Sequence, residues 1–154
     1  GGAAKAVALT LAASGARRIW VCNRTLAKAQ ALADADPSHV LVPADLSPET
    51  LKRLCAQAGL VVNCTNLGMA GCGQFSDFSF LDTLPSEAGV FDLIYHPAET
   101  QLLAQARARG LRVCNGLPML LHQAVLALEH FLDRPLDRDR MARAAGIALA
   151  AAEP

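Results

Sequence analysis

The stretch "WVCNRT", residues 20–25, is an apolar run that stops at the polar tip Asn23-Arg24-Thr25. Its β-branched and aromatic residues predict a strand. The segment before it, "GGAAKAVALTLAASG", has helical composition and ends at the stop signal Gly15. The segment after it, "LAKAQALAD", predicts a second helix that Thr25 can cap. A strand between two helices is the repeating unit of α/β folds, and it sets the expectation for the whole chain.

The same alternation continues along the sequence. Further strands are predicted over "HVLV" (39–42), "LVVNC" (60–64), "GVFDLIY" (89–95) and "LRVCN" (111–115). Helices are predicted from the Ser47-Pro48-Glu49 cap to about Gln57, and over 97–110, 117–133 and 137–153. We therefore predict a Rossmann-like, doubly wound, mainly parallel sheet with helices on both faces and a helical C-terminus. Residues 1–154 are expected to form one domain that ends in the helices of 117–152.

Composition excludes several classes of function. The chain has 154 residues, of which 53% are hydrophobic and 18% charged, so it is not a disordered tail. A formal net charge of zero argues against a nucleic-acid partner, and no apolar run or leader predicts a membrane partner or secretion. The five cysteines are scattered without metal-ligand spacing. We expect a cytoplasmic protein without a metal site.

The first residues have the chemistry of a phosphate-binding turn. Gly1-Gly2-Ala3 stands at the start of a predicted helix, whose backbone N–H groups attract anions. Dinucleotide-binding folds place a strand before such a turn, and the sequence contains no such strand. We therefore expect the chain to be a fragment of a longer protein. Flexible terminal glycines are the alternative interpretation.

The tip of the first predicted strand distinguishes between two cofactors. About 20 residues after the glycine turn, an NAD site has an acidic residue, whereas an NADP site has an arginine for the 2′-phosphate. Here that spacing reaches Asn23, Arg24 and Thr25, with Lys28 one helical turn further and no carboxylate at the tip. The pattern favours NADP over NAD. The alternative is that these are ordinary solvated charges and a helix cap.

Several motifs, taken in order, resemble one known family. "GGAAKA" resembles the end of a Gly-Ala-Gly-Gly-Ala loop, "NRTLAK" an Asn-Arg-Thr signature, and "NCTNLGM" an Asn-Ala-Thr-x-x-Gly-Met loop. "VFDLIYHPAETQLLAQARARG" and "NGLPMLLHQAVLALEHF" resemble two later segments of the same family. Over residues 1 to about 131 the chain is similar to the C-terminal, NADP-binding half of shikimate dehydrogenases. The resemblance implies NADP-dependent, reversible reduction of 3-dehydroshikimate to shikimate in aromatic amino-acid and chorismate biosynthesis.

The resemblance also implies roles for individual residues. NADP would be bound by Gly1, Gly2, Ala3, Asn23, Arg24, Thr25, Lys28, Thr65, Asn66, Leu93, Gly116, Met119 and Leu120. The small-molecule substrate would contact Tyr95 and Gln123, although Gln123 could instead brace its helix. Asp92 is expected to hold neighbouring backbone N–H groups. No catalytic residue is assigned, because the family's Lys and Asp pair lies in its N-terminal domain, so we expect this chain alone to be inactive.

Three departures and several rival functions stay open. Pro118 replaces a glycine of the family, Asn115 an aspartate and Cys64 an alanine. Pro118 raises the question whether the backbone of its loop is altered, since proline fixes φ and removes an N–H. The rivals are a quinate/shikimate dehydrogenase or related paralogue, a non-catalytic NADP-binding module, and an S-adenosylmethionine methyltransferase. A homodimer is compatible with the sequence.

Overall fold

The computed structural model describes residues 1–152 as a chain of alternating helices and short strands. The helices are α1 (Gly2–Ala13), α2 (Leu26–Asp34), α3 (Pro48–Cys55), α4 (Gln101–Ala108), α5 (Leu117–Leu132) and α6 (Arg138–Ala152). The strands are β1 (Ile19–Cys22), β2 (Leu41–Ala44), β3 (Leu60–Asn63), β4 (Gly89–Asp92) and β5 (Arg112–Cys114). A short 3-10 helix, Ser79–Thr83, lies between β3 and β4.

Local signals explain most helix ends. The Ser47 side chain accepts a hydrogen bond from the backbone N–H of Thr50 (3.3 Å), and Pro48 opens α3, as predicted. Gly15 follows α1 with φ +90°, a conformation that suits glycine. Thr25 holds the N-cap position of α2, but its side chain makes no capping bond, so that part of the prediction is wrong. Instead the Asn23 side-chain oxygen accepts from the Thr25 N–H at 2.9 Å, which shapes the turn.

Strand β2 begins two residues later than predicted, because the loop before it is held by a buried carboxylate. Asp36 is 2% exposed and accepts hydrogen bonds from the backbone N–H groups of Ser38, Val40 and Leu41. His39 is thereby kept in a left-handed conformation with φ 56°, which excludes it from a strand. Sequence composition alone does not reveal such a turn.

The strands form two parallel sheets rather than one continuous sheet. One sheet pairs β1 with β2, and the other has the order β3-β4-β5. Between β1 and β3 lies a cavity of about 760 Å³, which we call the central cavity; residues from α1, β1, α2, α3 and β3 line it. The parallel strands and alternating helices confirm the predicted Rossmann-like class.

The main apolar core surrounds the three-stranded sheet. Phe80, Leu81, Val90, Leu102 and Ala106 are among its members, and each is at most 4% exposed. At the other end of the chain, α5 and α6 pack against each other. Within residues 1–152, no helix combines the length and the apolar character needed to cross a membrane.

Candidate functional site

The carboxyl ends of β1 and β3 approach the N-terminus of α1. Gly1, Asn23, Lys28 and Thr65 all line the central cavity, so each of the three predicted cofactor segments of the first half contributes at least one residue to it. Gly1, Gly2 and Ala3 are exposed at the start of α1. A Cβ added at either glycine would meet nothing within 4 Å, so packing within the chain does not require glycine there.

Two exposed cations lie at and just after the tip of β1. Arg24 is exposed and makes no hydrogen bond or ion pair with any residue in the described range 1–152, and Lys28 is exposed in the first turn of α2. The nearest carboxylate along the neighbouring strand is Asp45, just after β2. Its oxygens accept from Ser47 N–H (2.8 Å) and the Thr50 hydroxyl (3.0 Å), and the Ser47 bonds above all lower the pKa of Asp45 to about 2. Arg24 and Lys28 are therefore available to an anion.

Asp92 is the centre of a buried hydrogen-bond network at the ends of β3 and β4. It is 0% exposed, and one carboxylate oxygen accepts from the Asn63 side-chain amide (3.0 Å) and the Ile94 N–H (3.1 Å). The other accepts from the Thr100 hydroxyl at 2.7 Å. Thr100 in turn caps α4 by accepting from the Leu103 N–H (3.4 Å). The expected role of Asp92 is confirmed at Ile94, and the side-chain partners add to it.

Asn63 carries this network into the loop that follows β3. Its side-chain oxygen accepts from both the N–H (3.0 Å) and the hydroxyl (2.7 Å) of Thr65, and its amide also donates to the Leu67 carbonyl (3.2 Å). Thr65 and Asn66 themselves are exposed, so they can face a ligand. Sequence reasoning singled out Thr65 and Asn66 but missed Asn63. A polar residue inside the apolar run "LVVNC" was the available signal, since buried amides need partners.

The backbone of Leu93 touches the start of α5. The Gly116 N–H donates to the Ile94 carbonyl (3.0 Å), and a Cβ on Gly116 would lie 1.9 Å from the Leu93 carbonyl oxygen. Only glycine allows this approach. The structure thus joins Leu93 to Gly116, with Met119 half-buried and Leu120 exposed in the first helical turn.

The two departures in this loop fit the observed backbone. Pro118 lies in the first turn of α5, where backbone N–H groups have no helical partner, so a proline costs no hydrogen bond. The Asn115 side-chain amide donates to the Ala98 carbonyl (2.9 Å), and its oxygen accepts from the Leu117 N–H (3.1 Å). Asn115 therefore ties the loop before α4 to the start of α5.

The predicted substrate residues are both accessible. Tyr95 is 51% exposed and lies three residues beyond the end of β4, so it belongs to a loop rather than to the strand. Gln123 is exposed on α5, and its side chain makes no hydrogen bond within the described residues. A role in bracing α5 is not supported, because the side chain has no partner there.

Three cysteines, Cys22, Cys55 and Cys64, lie in surroundings that do not favour an activated nucleophile. Burial is the main reason why the pKa of Cys22 and that of Cys55 rise to about 11. Burial is also the main reason why the pKa of Cys64 is raised. These thiols stay neutral at physiological pH, whereas a nucleophile needs the thiolate. Residues 1–152 contain no cluster of three or more metal-ligating side chains.

Comparison with known proteins points to one family. The family model described as "Shikimate 5'-dehydrogenase C-terminal domain" matches residues 116–145. The shikimate dehydrogenase (NADP(+)) of Methylobacterium radiotolerans is 48% identical over 129 residues, covering 84% of this chain and 44% of that protein.

Two solved structures share the fold. The shikimate 5-dehydrogenase of Thermus thermophilus, in complex with NADP(H) and shikimate, is 35% identical with a TM-score of 0.73, over 96% of this chain and 52% of that one. The quinate dehydrogenase of Corynebacterium glutamicum, in complex with NAD, is 32% identical with a TM-score of 0.76, over 90% of this chain and 49% of that one.

The chain spans about half the length of the curated relatives it matches. The motifs, the similarity over most of its length and the shared fold agree with one another. The chain belongs to the shikimate dehydrogenase family, and the part of that family to which it corresponds is the C-terminal domain.

Proposed function

We propose that this chain binds NADP and serves as the cofactor half of an NADP-dependent shikimate dehydrogenase, which reversibly reduces 3-dehydroshikimate to shikimate. The observation that carries the proposal concerns Arg24, just after β1, and Lys28, in the first turn of α2: both are exposed and have no ion-pair partner among residues 1–152, and Lys28 lines the central cavity together with Gly1. A dinucleotide with a 2′-phosphate needs positive charge at that tip. The Methylobacterium radiotolerans relative has NADP(+) in its name, and the Thermus thermophilus relative was solved with NADP(H); both support the same cofactor.

The proposed path of the cofactor follows the carboxyl ends of the strands. Gly1, Gly2 and Ala3 would hold the pyrophosphate at the positive end of α1. Asn23, Arg24, Thr25 and Lys28 would hold the adenosine end. Thr65 and Asn66 would line the middle, and Leu93, Gly116, Met119 and Leu120 would form the wall against the nicotinamide. In the direction of reduction NADPH would supply the hydride and leave as NADP, while the described residues would bind and orient the cofactor.

Arg24→Ala should weaken NADP binding by about ten- to a hundredfold and leave NAD binding nearly unchanged. A charge-assisted hydrogen bond to phosphate contributes about 1.5–3 kcal/mol, and only NADP carries the 2′-phosphate. Dissociation constants for both cofactors, measured by isothermal titration calorimetry, test this.

The matched control for Arg24 is Arg17→Ala. Arg17 is also exposed, but it precedes β1 at the opposite end of the strand. Arg17→Ala should therefore change neither the dissociation constant for NADP nor that for NAD. If Arg24→Ala lost affinity equally for NADP and for NAD, a contact with the 2′-phosphate would be contradicted.

Tyr95 and Gln123 are the groups that we propose contact the substrate from this half. Both carry hydrogen-bonding atoms that are exposed, and Gln123 lies two turns along α5 from Gly116. Shikimate is a small molecule rich in hydroxyls, so amide and phenol groups suit it. The bound shikimate of the Thermus thermophilus relative supports a substrate of this class.

Gln123→Ala should raise the KM for shikimate by about one to two orders of magnitude and leave the KM for NADP unchanged. One lost hydrogen bond that leaves a substrate hydroxyl unpaired costs about 1–3 kcal/mol. The assay is NADP-linked shikimate oxidation by the polypeptide in which this chain naturally occurs. His122→Ala is the control, because His122 is exposed beside Gln123 on α5 but has no proposed role. An unchanged KM for shikimate in Gln123→Ala would remove Gln123 from the site.

Quinate is the second candidate substrate, because the chain also shares its fold with the quinate dehydrogenase of Corynebacterium glutamicum, at a TM-score of 0.76. Parallel assays with shikimate and quinate decide between them. If neither is oxidised while NADP binds, the chain is part of a protein that only binds NADP.

We also propose a cytoplasmic location and assembly as a homodimer. The five free cysteines support a reducing compartment. Apolar side chains exposed on α5 and α6, among them Phe131 (82%) and Ile147 (73%), support a contact with a second copy.

A further inference from the structure

We propose that Asn63 is a positioning residue for the cofactor: its side chain holds Thr65 in one orientation, in which the Thr65 hydroxyl meets NADP as a hydrogen-bond acceptor. This inference rests on the proposed binding of NADP. Asn63 is 4% exposed, whereas Thr65 is exposed in the loop after β3. The effect of Asn63 on a ligand therefore passes through the residue that it holds.

The single proton of the Thr65 hydroxyl is already used within the chain. The hydroxyl donates it to the Asn63 side-chain oxygen at 2.7 Å, and the Thr65 N–H donates to the same oxygen at 3.0 Å. The hydroxyl oxygen in turn accepts from the Leu67 N–H at 3.1 Å. A hydroxyl has one proton and two lone pairs, so one lone pair is left for a ligand. The cofactor group opposite Thr65 is therefore a donor, such as a ribose hydroxyl or an amino group, and not a phosphate oxygen.

The Asn63 side chain is itself held in one orientation. Its amide nitrogen donates to the Asp92 carboxylate at 3.0 Å and to the Leu67 carbonyl at 3.2 Å. A flipped amide would set its N–H groups against the Thr65 donors and its oxygen against the Asp92 carboxylate, so the flip is disfavoured. Asn63 thus orients Thr65 before any ligand binds, and a group that is already oriented loses less freedom on binding.

A second turn of the described chain shows what the asparagine adds. Asp77 accepts from the N–H (2.8 Å) and the hydroxyl (2.5 Å) of Ser79, so an aspartate is sufficient for this kind of turn. At position 63 an aspartate could not donate to Asp92 while ionised, and the two carboxylates would repel each other. Its charge would also oppose an anionic dinucleotide. The turn alone would accept either residue, whereas the surroundings of position 63 favour the neutral amide.

The test compares two variants of Asn63 in the polypeptide in which this chain naturally occurs. Asn63→Ala removes the acceptor for Thr65 and the amide donors together. We expect it to raise the dissociation constant for NADP about tenfold and to lower the Tm. Asn63→Ser also lacks the amide, but a serine hydroxyl can still accept from the N–H two residues on. It should lower the Tm by a similar amount and raise the dissociation constant by no more than about threefold. Calorimetry gives the constants and circular dichroism the Tm.

Two controls separate positioning from a general loss of structure. Asp77→Ala removes the same pair of bonds from a turn outside the proposed path of the cofactor, so it should lower the Tm and leave the dissociation constant for NADP unchanged. In a polypeptide that already carries Thr65→Ala, the further change Asn63→Ala should alter this constant by less than about twofold, because the residue through which Asn63 acts is missing.

Hydrogen exchange tests the orientation without any substitution, and it decides the matter if Asn63→Ala does not fold. In the unmodified polypeptide without NADP, the Thr65 N–H should exchange at least about tenfold more slowly than in an unfolded chain, since it is bonded to Asn63. A Thr65 N–H that is protected only when NADP is present would mean that the cofactor orients Thr65, and this would overturn the inference.

The outcomes distinguish this inference from the proposed function. If the unmodified polypeptide binds NADP but Asn63→Ala leaves the dissociation constant unchanged, Asn63 has no positioning role. The same conclusion follows if Asn63→Ala weakens binding equally with and without Thr65→Ala. If the unmodified polypeptide does not bind NADP, the proposed function is wrong and this inference is wrong with it.

Discussion

Gly116→Ala should destabilise the protein by about 3 kcal/mol or more, with a fall in Tm of well over about 5 °C. The added methyl group would lie 1.9 Å from the Leu93 carbonyl oxygen and 2.5 Å from its carbonyl carbon, both of them backbone atoms. No side-chain rotation can relieve such an overlap, so the loop after β4 and the start of α5 must separate. Thermal denaturation followed by circular dichroism measures the effect.

Gly59→Ala is the matched control for this prediction. A Cβ on Gly59 would meet nothing within 4 Å, and the residue does not adopt a positive φ. Its substitution should change the free energy of unfolding by less than about 1 kcal/mol. Equal stability of Gly116→Ala and the unmodified chain would show that Leu93 and Gly116 are not in contact, and it would remove the proposed nicotinamide wall as well.

Asp92→Ala should also lower the free energy of unfolding by about 3 kcal/mol or more. The substitution removes the acceptor for the Asn63 amide, the Ile94 N–H and the Thr100 hydroxyl at once. Each donor is then left in a buried place where water replaces the lost bond poorly. Urea denaturation gives the free energy of unfolding directly.

Two further variants distinguish the loss of the buried hydrogen bonds from the loss of a charge alone. Asp82→Ala removes an exposed carboxylate that pairs with Arg109 at 2.6 Å, and it should cost less than about 1 kcal/mol. Asp92→Asn keeps the shape of the side chain and one acceptor oxygen, so its loss in the free energy of unfolding should lie between those of the other two variants. If Asp92→Ala lowers the free energy of unfolding no more than Asp82→Ala does, the network does not stabilise the strand ends.

Local chemistry explains why much of the fold could be predicted from the sequence. The predicted helix after β1 matches α2, Leu26–Asp34, and the predicted start of α5 at Leu117 is confirmed. In both places the sequence carries its own boundary signals, a polar tip before α2 and glycine and proline at the start of α5. The Rossmann-like class was predicted from the alternation of strands and helices, and the family from short motifs such as "NRTLAK" and "NCTNLGM".

The contacts that organise the site are not visible in local sequence. Asn63 and Asp92 are 29 residues apart and meet only because β3 and β4 pair in a register that sets one opposite the other. Likewise, the close approach of Leu93 to Gly116 depends on how β4, β5 and α5 are placed. Such contacts arise from tertiary structure, so motif spacing can name the residues without giving their partners.

The buried Asp92 network has a consequence for the entropy of binding. The two carboxylate oxygens of Asp92 bond to the end of β3, the loop after β4 and the N-terminus of α4. The loops after β3 and β4 therefore cannot become mobile independently. A molecule that restricts the motion of the Thr65 loop restricts that of the Tyr95 loop as well. The second molecule to bind then loses less conformational freedom on binding. Two ligands could in this way favour each other's binding without any change in the average shape of the protein.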